Sequence, residues 1–321
     1  MWAIIRAKSM DTSIERLVII GSGPAGMGAL TRASLNPTLR PLVITGPHFG
    51  GTFANDALTE EWPGMLPGSV HHEVAASMLN QASRLGARFV HDSVVSIETN
   101  ESLFRLHLAR GKVITALSVI IATGCEAKLL GLAHEQALLG KGISLARSIP
   151  HYFRYHNRRV AIIGGTSTAA VEALRLATVA RKVLIVCEGR KLACNRMLIN
   201  RISLANNIEV MFSASVEAFI PTDCAGQPRL RAIEVNLPSG SRSLKLDEVV
   251  LASALTARTH MFGRLSKDNG GFIKTKAGGP STNLKGIFVA GSAGQTLRKD
   301  PVGTVASGHT AASAAERFLR T

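Results

Sequence analysis

Two apolar runs that stop abruptly at glycine organise this chain. Residues 16–20 run into Gly21-Ser22-Gly23-Pro24-Ala25-Gly26, and residues 160–163 run into Gly164-Gly165-Thr166-Ser167-Thr168-Ala169. Short continuous apolar runs bounded by turn signals read as strands buried on both faces. Each turn opens a predicted helix, over about 25–34 and 168–178, and each helix leads to another apolar strand, over 41–44 and 183–186. The first of these strands ends at Thr45-Gly46. Between the two units the pattern predicts a helix over 73–85 and a meander over 94–117 with Gly111 at a turn. A buried strand over 118–122, ending at Thr123-Gly124, follows. Beyond the second unit come an antiparallel piece over 230–251, a strand over 286–290 ending at Gly291, and a helix over 302–319 with Pro301 in its first turn. The pattern is α/β, with two doubly wound (Rossmann-like) nucleotide-binding domains.

The glycine spacing carries a physical meaning. In a G-x-G-x-x-G turn the first glycine allows the tight bend and the second lets backbone approach a pyrophosphate. The third lets helix and strand pack closely, and the helix N-terminus faces the phosphates. Two such folds in one chain suggest a flavin site and a second nucleotide site. An ordinary strand–helix turn is the plain alternative.

Composition narrows the classes. With 321 residues the chain can hold two domains with real cores, and 46% hydrophobic with 18% charged residues excludes a disordered protein. The opening MWAIIRAKSM has an apolar stretch too short for a membrane span or a good signal sequence, and Met10 is an alternative start. No later apolar run reads as a membrane span, so a cytoplasmic protein is expected. The net charge of +15 admits nucleic acid, an anionic surface or an acidic protein partner. The basic residues are scattered, with Arg158-Arg159 among the densest pairs and no aromatic-interleaved or zinc-type pattern, so neither nucleic acid nor membrane is expected as a partner. The four cysteines, Cys125, Cys187, Cys194 and Cys224, form no C-x-x-C pair and no metal spacing, so no metal site is expected. Cys187 and Cys194 flank a loop and could form a redox pair; unpaired cytosolic thiols are the simpler reading.

In this order the pieces resemble the low-molecular-weight thioredoxin reductases of the pyridine nucleotide-disulfide oxidoreductase family. The resemblance runs from about Glu15 to Leu319. Its motifs are GSGPAG at 21–26, ITG at 44–46, the GG…EEWPG stretch of 50–64, IIATG at 120–124, VAIIGG at 160–165, GIFVAGS at 286–292 and AASAAERFL at 311–319. It implies an FAD domain built from both ends of the chain, 1–125 and 254–321, with a pyridine-nucleotide domain inserted at 126–253, and a homodimer. It also implies an FAD site formed by Gly21, Ser22, Gly23, Pro24, Ala25, Gly26, Thr45, Gly46, Gly51, Thr52, Thr123, Gly124, Gly291, Ser292, Pro301 and Val302.

The departures from that family are specific. Its redox C-x-x-C falls where this chain reads Ala146-Arg147-Ser148-Ile149. Thr166 replaces the second glycine of the second turn, and Cys187-Glu188-Gly189 replaces the His-Arg-Arg that holds the NADPH 2′-phosphate. Glu188 repels that phosphate but can bond the ribose hydroxyls of NADH, so NADH is admitted and a vestigial second site is preferred. Ser292 replaces the family's carboxylate partner of the ribityl chain, and Thr52, Glu61 and the Lys299-Asp300-Pro301 stretch replace residues that the family places around the flavin ring. These changes lead to the expectation of an FAD-dependent oxidase or dehydrogenase of a small molecule, not a disulfide reductase. An acidic electron-transfer protein is an optional partner. The alternatives are an NADH-dependent flavin reductase and a catalytically inactive scaffold. Glu61 and Asp300 are the expected catalytic groups, since each adds a carboxylate beside the ring; His48, Asp56, Glu60, His71, His72, Lys299 and His309 stand behind them.

Overall fold

The computed structural model describes residues 14–320 apart from 48, 55–61, 63, 65, 67–68, 70, 101–102, 147–151, 225, 254, 277 and 296–300. The chain divides into two units, Met1–Gly124 with Ala257–Thr321, and Cys125–Thr256.

The first unit opens with β1 (Ile14–Ile20), α1 (Pro24–Ser34), β2 (Leu42–Ile44), α2 (His71–Arg84) and β3 (Arg88–Val90). The three strands are parallel in the order β3-β2-β1. Alternate residues of β1 serve opposite faces. Leu17 and Ile19 join the core under α1, while Val18 and Ile20 join a second core with Leu106 and Phe262. Both faces are covered over 17–20, which is why that part of the strand is a continuous apolar run rather than an alternating one. Each such side chain contributes about 1.5–3 kcal/mol on burial.

β4 (Val94–Thr99), β5 (Phe104–Leu108) and β6 (Val113–Ile121) follow as an antiparallel meander. The sequence pattern suggested a break between a meander and a separate strand at 118; the structure makes 113–121 one strand. Its first half alternates in burial and pairs with β5, and its second half is buried throughout. A change of neighbours along one strand had imitated two strands.

The second unit runs through β7 (Cys125–Ala127), α3 (Glu135–Leu138), β8 (Ile143–Leu145), β9 (Arg159–Ile163), α4 (Ser167–Leu176), β10 (Lys182–Cys187), α5 (Arg196–Leu204) and β11 (Ile208–Phe212). β12 (Ser215–Cys224), β13 (Gln227–Leu237), β14 (Gly240–Lys245), β15 (Glu248–Leu251) and β16 (Leu255–Ala257) complete it. Five strands form a parallel sheet in the order β11-β10-β9-β15-β8, and β12-β13-β14 form a separate antiparallel sheet. The expected antiparallel piece over 230–251 is therefore corrected. β13 and β14 fit it, but β15 is a parallel central strand, and all four of its residues are buried. α5 begins at Asn195, whose side chain accepts a hydrogen bond from the Leu198 N–H (2.9 Å) and so satisfies one free donor of the first turn.

β16 pairs with β7, so the return crossing falls at Thr256/Ala257 rather than at 253/254. The first unit then closes with β17 (Ile287–Val289), parallel to the buried half of β6, and with α6 (Pro301–Phe318), which packs along α1.

Candidate functional site

The first glycine turn joins β1 to α1 and is fixed from three sides. Gly21 sits at φ +110°, and its N–H donates to the Ile44 carbonyl (2.8 Å). A Cβ there would stand 2.3 Å from the Ala122 carbonyl oxygen, at the end of β6. A Cβ on Gly26 would stand 1.9 Å from the Gly21 carbonyl oxygen. Both positions are closed to a side chain by the protein's own backbone. Gly23 is different. Its backbone is extended (φ −72°, ψ −176°), and the nearest atom to a Cβ would be the Gly51 Cα at 3.7 Å. Among the described residues nothing forbids a side chain there, so the open space is what a ligand would use.

Gly23 is also the N-cap of α1, and no side chain caps that end. Pro24 occupies the first turn, where its missing N–H costs nothing. The free N–H groups and the positive end of the helix dipole therefore face the space beside Gly23. Around this point the chain gathers other predicted residues. A Cβ on Gly51 would stand 2.8 Å from the Gly23 Cα, and one on Gly291 would stand 2.6 Å from the Ala25 Cβ. The Gly291 N–H is held by the Ser307 hydroxyl of α6 (2.8 Å). Ser22 is buried and donates to the Thr45 carbonyl (3.0 Å). Thr123 carries a buried hydroxyl with no partner among the described residues. Thr52 lies in the single turn Gly51–Phe53, and Ser292 in the turn Gly291–Ala293. Pro301 and Val302 begin α6, and Val302 is exposed.

Sequence reasoning missed one part of this neighbourhood. A cleft of about 270 Å³ opens beside Gly46 and is lined by His91, Asp92 and Arg110. The Thr45 hydroxyl lies 3.1 Å from His91 Nδ1. The available signal was positional: His91-Asp92 directly follow β3, at the same end of the sheet as the glycine turn.

The second turn repeats the first. The Gly164 N–H donates to the Val186 carbonyl (2.9 Å), and a Cβ on Gly164 would stand 2.3 Å from the Ala252 carbonyl oxygen. Thr166 occupies the N-cap of α4, with extended backbone (φ −95°, ψ 176°) and an exposed side chain. The buried Cys187 thiol fills the space above Gly165, where a Cβ would stand 2.3 Å from its sulfur. Glu188 follows it, exposed, at the end of β10.

The expected catalytic residues are not brought together by anything the structure describes. Glu61 and Asp300 lie outside the described residues, as do His48, Asp56, Glu60, Lys299 and Arg147-Ser148-Ile149. His72 is exposed in the first turn of α2. His309 is exposed on α6, and partial burial followed by the Arg32 charge holds its pKa below the ordinary value. All four cysteines are free; Cys125 and Cys194 are half-buried and Cys224 is exposed. Burial pushes the Cys194 thiol up. No helix among the described residues is long and apolar enough to cross a membrane.

A duplicated dinucleotide fold, one copy interrupted by the other, with a glycine cradle at each strand–helix turn, defines a two-nucleotide oxidoreductase. The chain belongs to the pyridine nucleotide-disulphide oxidoreductase family, whose pattern matches residues 15–315. A thioredoxin reductase of Streptomyces coelicolor is 31% identical over 314 residues, covering 96% of this chain and 95% of that protein. A glucosaminate ammonia-lyase of Pseudomonas fluorescens is 29% identical over 311 residues, covering 95% and 96%. The crystal structure of Lactococcus lactis thioredoxin reductase superposes with a TM-score of 0.87 at 23% identity, covering 95% of this chain and 99% of that one. These likenesses overturn one expectation. The substitutions near the ring and at 146–149 were read as a departure from disulfide reduction to small-molecule oxidation. The thioredoxin reductases matched over nearly their whole length speak for a disulfide reductase instead. The expectation of FAD stands with the family, and the residues present fit its pyrophosphate: an open position at Gly23, an uncapped helix end and an unpartnered Thr123 hydroxyl.

Proposed function

We propose that this protein is a flavin-dependent disulfide reductase. It takes electrons from a reduced pyridine nucleotide and delivers them to a disulfide on its substrate. The observation that carries the reading is the family match over 15–315, together with the cradle at Gly21–Gly26, whose nearest described neighbours are backbone and small residues. Bound FAD would supply the two-electron step between nicotinamide and disulfide. The overall reaction consumes one reduced nicotinamide, one proton and one disulfide, and yields one oxidised nicotinamide and two thiols.

In this reading Gly23 and the N–H groups opening α1 would hold the pyrophosphate. Gly46 and the cleft at His91 would receive the adenosine half, and the Thr123 hydroxyl would donate to the cofactor. The N-terminal end of α6 at Pro301-Val302 would supply positive potential to negative charge on the flavin. The chain has no C-x-x-C, so the disulfide that is broken belongs to the substrate. A homodimer acting in the cytoplasm completes the reading, which the free cysteines suit.

The test is stepwise. The purified protein is examined for flavin absorbance and reduced anaerobically with NADPH and, separately, NADH. It is then mixed with oxidised thioredoxin or a chromogenic aromatic disulfide. Reoxidation of the flavin with stoichiometric thiol release supports the reading. A flavin that nicotinamide reduces but that only oxygen reoxidises overturns it.

A further inference from the structure

We propose that the N-terminal edge of the five-stranded sheet is a docking surface for an acidic segment of a partner polypeptide. This edge lies at the opposite ends of the strands from the second glycine turn. Its role therefore does not depend on how that turn or the flavin is used.

Two basic pairs, far apart in sequence, are welded together here. Arg159 begins β9 and Lys182 begins β10, and they are direct partners in the parallel register. Neighbouring strands lie about 4.8 Å apart, so their side chains leave the sheet side by side. The Arg158 carbonyl accepts hydrogen bonds from both the Arg181 N–H (2.9 Å) and the Lys182 N–H (3.3 Å). The Asn157 N–H donates to the Val179 carbonyl (3.0 Å). Below them Asn207 fastens the platform. Its carboxamide donates to the Ala177 and Ala180 carbonyls (2.9 and 3.1 Å), and its backbone carbonyl accepts from the Val183 N–H (2.8 Å). A cleft of about 430 Å³ opens between Arg181-Lys182 and Asn206–Glu209.

The charges on this rigid edge do not balance. Arg158, Arg159, Arg181 and Lys182 are all exposed. Asp247 pairs with Arg158 at 3.7 Å, and Glu209 pairs with Lys182 at 2.6 Å. Among the described residues neither the Arg159 nor the Arg181 guanidinium has a carboxylate within ion-pair distance. Two unanswered guanidinium groups on a fixed backbone form a fork that suits carboxylates, which they bind in two-point fashion. The order along the edge chooses the ligand. Glu209 on β11 and Asp247 before β15 stand on either side of the cations. A nucleic-acid backbone tracking along the edge would carry its phosphates past both carboxylates and be repelled. A short acidic peptide fits between them.

The test uses the flavin-loaded full chain and fluorescence anisotropy with a labelled oligoglutamate peptide and a labelled oligothymidylate. Wild type should bind the oligoglutamate, with affinity falling as salt rises. Arg159→Gln/Arg181→Gln should weaken that binding about tenfold or more, since it removes both charge-assisted forks. A control, Arg229→Gln/Arg242→Gln, removes the same charge from exposed positions on β13 and β14 and should bind as wild type does. Equal weakening in both variants would reduce the effect to net charge and overturn the proposal. So would tighter binding of oligothymidylate, or no binding of the peptide by wild type.

Discussion

Replacing Gly23 and Gly26 separates what the first turn does for the fold from what it does for the cofactor. A Cβ on Gly26 meets the Gly21 carbonyl oxygen at 1.9 Å. Ordinary contact needs more than an ångström of movement in a strand–helix junction buried on both sides, which costs about 1–3 kcal/mol or more. Gly26→Ala should therefore lower stability with or without cofactor. A Cβ on Gly23 has 3.7 Å of clearance, and the local backbone is one that any residue adopts. Gly23→Ala should leave the flavin-free protein unharmed, or steadier by about 0.4–1 kcal/mol through a less flexible unfolded chain. The same methyl stands where the pyrophosphate approaches. Ligand present at a hundred times its Kd stabilises the folded state by about 2.7 kcal/mol, and a variant that cannot bind forfeits it. At about 2–4 °C per kcal/mol for a unit of this size, that is a loss of roughly 5–10 °C in the FAD-induced rise of Tm. The measurements are flavin absorbance after purification and thermal unfolding with and without added FAD, with Gly23→Val as the stronger variant. Wild-type flavin content in Gly23→Val would refute the reasoning.

Thr166→Gly should leave Tm unchanged or slightly lower, yet tighten pyridine-nucleotide binding in a titration, because the exposed Thr166 side chain occupies the place that Gly23 leaves open. Gly165→Ala should destabilise the second unit, and adding Cys187→Ala should recover about 0.5–3 kcal/mol of the loss, since among the described residues the close contact of the new methyl is the Cys187 sulfur. Glu316 of α6 accepts hydrogen bonds from Asn36 (2.9 Å), Arg320 (2.6 Å) and Arg32 (2.8 Å), and the Asn36 bond leads in holding its pKa below the ordinary value. The folded-state pKa is depressed, so this stabilisation is present above the unfolded carboxylate's pKa and is lost as pH falls through the lower folded value. Glu316→Gln should cost about 1–3 kcal/mol near neutral pH by urea titration and flatten the acid limb of stability.

What the sequence made legible follows from local physics. Residues 17–20 are apolar because both faces are covered, and Gly21 is glycine because its φ is positive and Ala122 blocks a Cβ. Such reasons act within a few residues and leave a direct trace in the pattern. Partners chosen across the chain leave a fainter one. The 248–251 segment is as apolar as an antiparallel strand in a small sheet would be, and only its pairing with β9 and β8 shows it to be parallel. His91 left only its position directly after β3 as a sign, and nothing in the spacing around Arg110 marks a cleft wall. The functional expectation failed for a different reason. It weighed a handful of substitutions around 61, 146–149 and 300 above a resemblance to thioredoxin reductases that runs through nearly the entire chain.

The two turns carry the argument one step further. Their backbones repeat: Gly21 to Ile44 at 2.8 Å and Gly164 to Val186 at 2.9 Å, Ala122 to Ile20 and Ala252 to Ile163 both at 2.8 Å. At each turn a Cβ on the first glycine would stand 2.3 Å from a carbonyl oxygen of the adjoining strand. The sites differ at Gly23 against Thr166, two helix N-caps that are both extended and both without a side-chain cap, and at Gly26 against Ala169. A threonine costs the fold nothing in that conformation, so packing did not select it. Its effect is confined to what occupies the turn, together with Glu188 at the end of β10. If the proposed reading holds, the flavin would sit against an unencumbered cradle and the nicotinamide nucleotide against one that carries the Thr166 side chain and lies near the Glu188 carboxylate. The first site is then suited to a resident cofactor, and the second to a nucleotide that must arrive, react and leave.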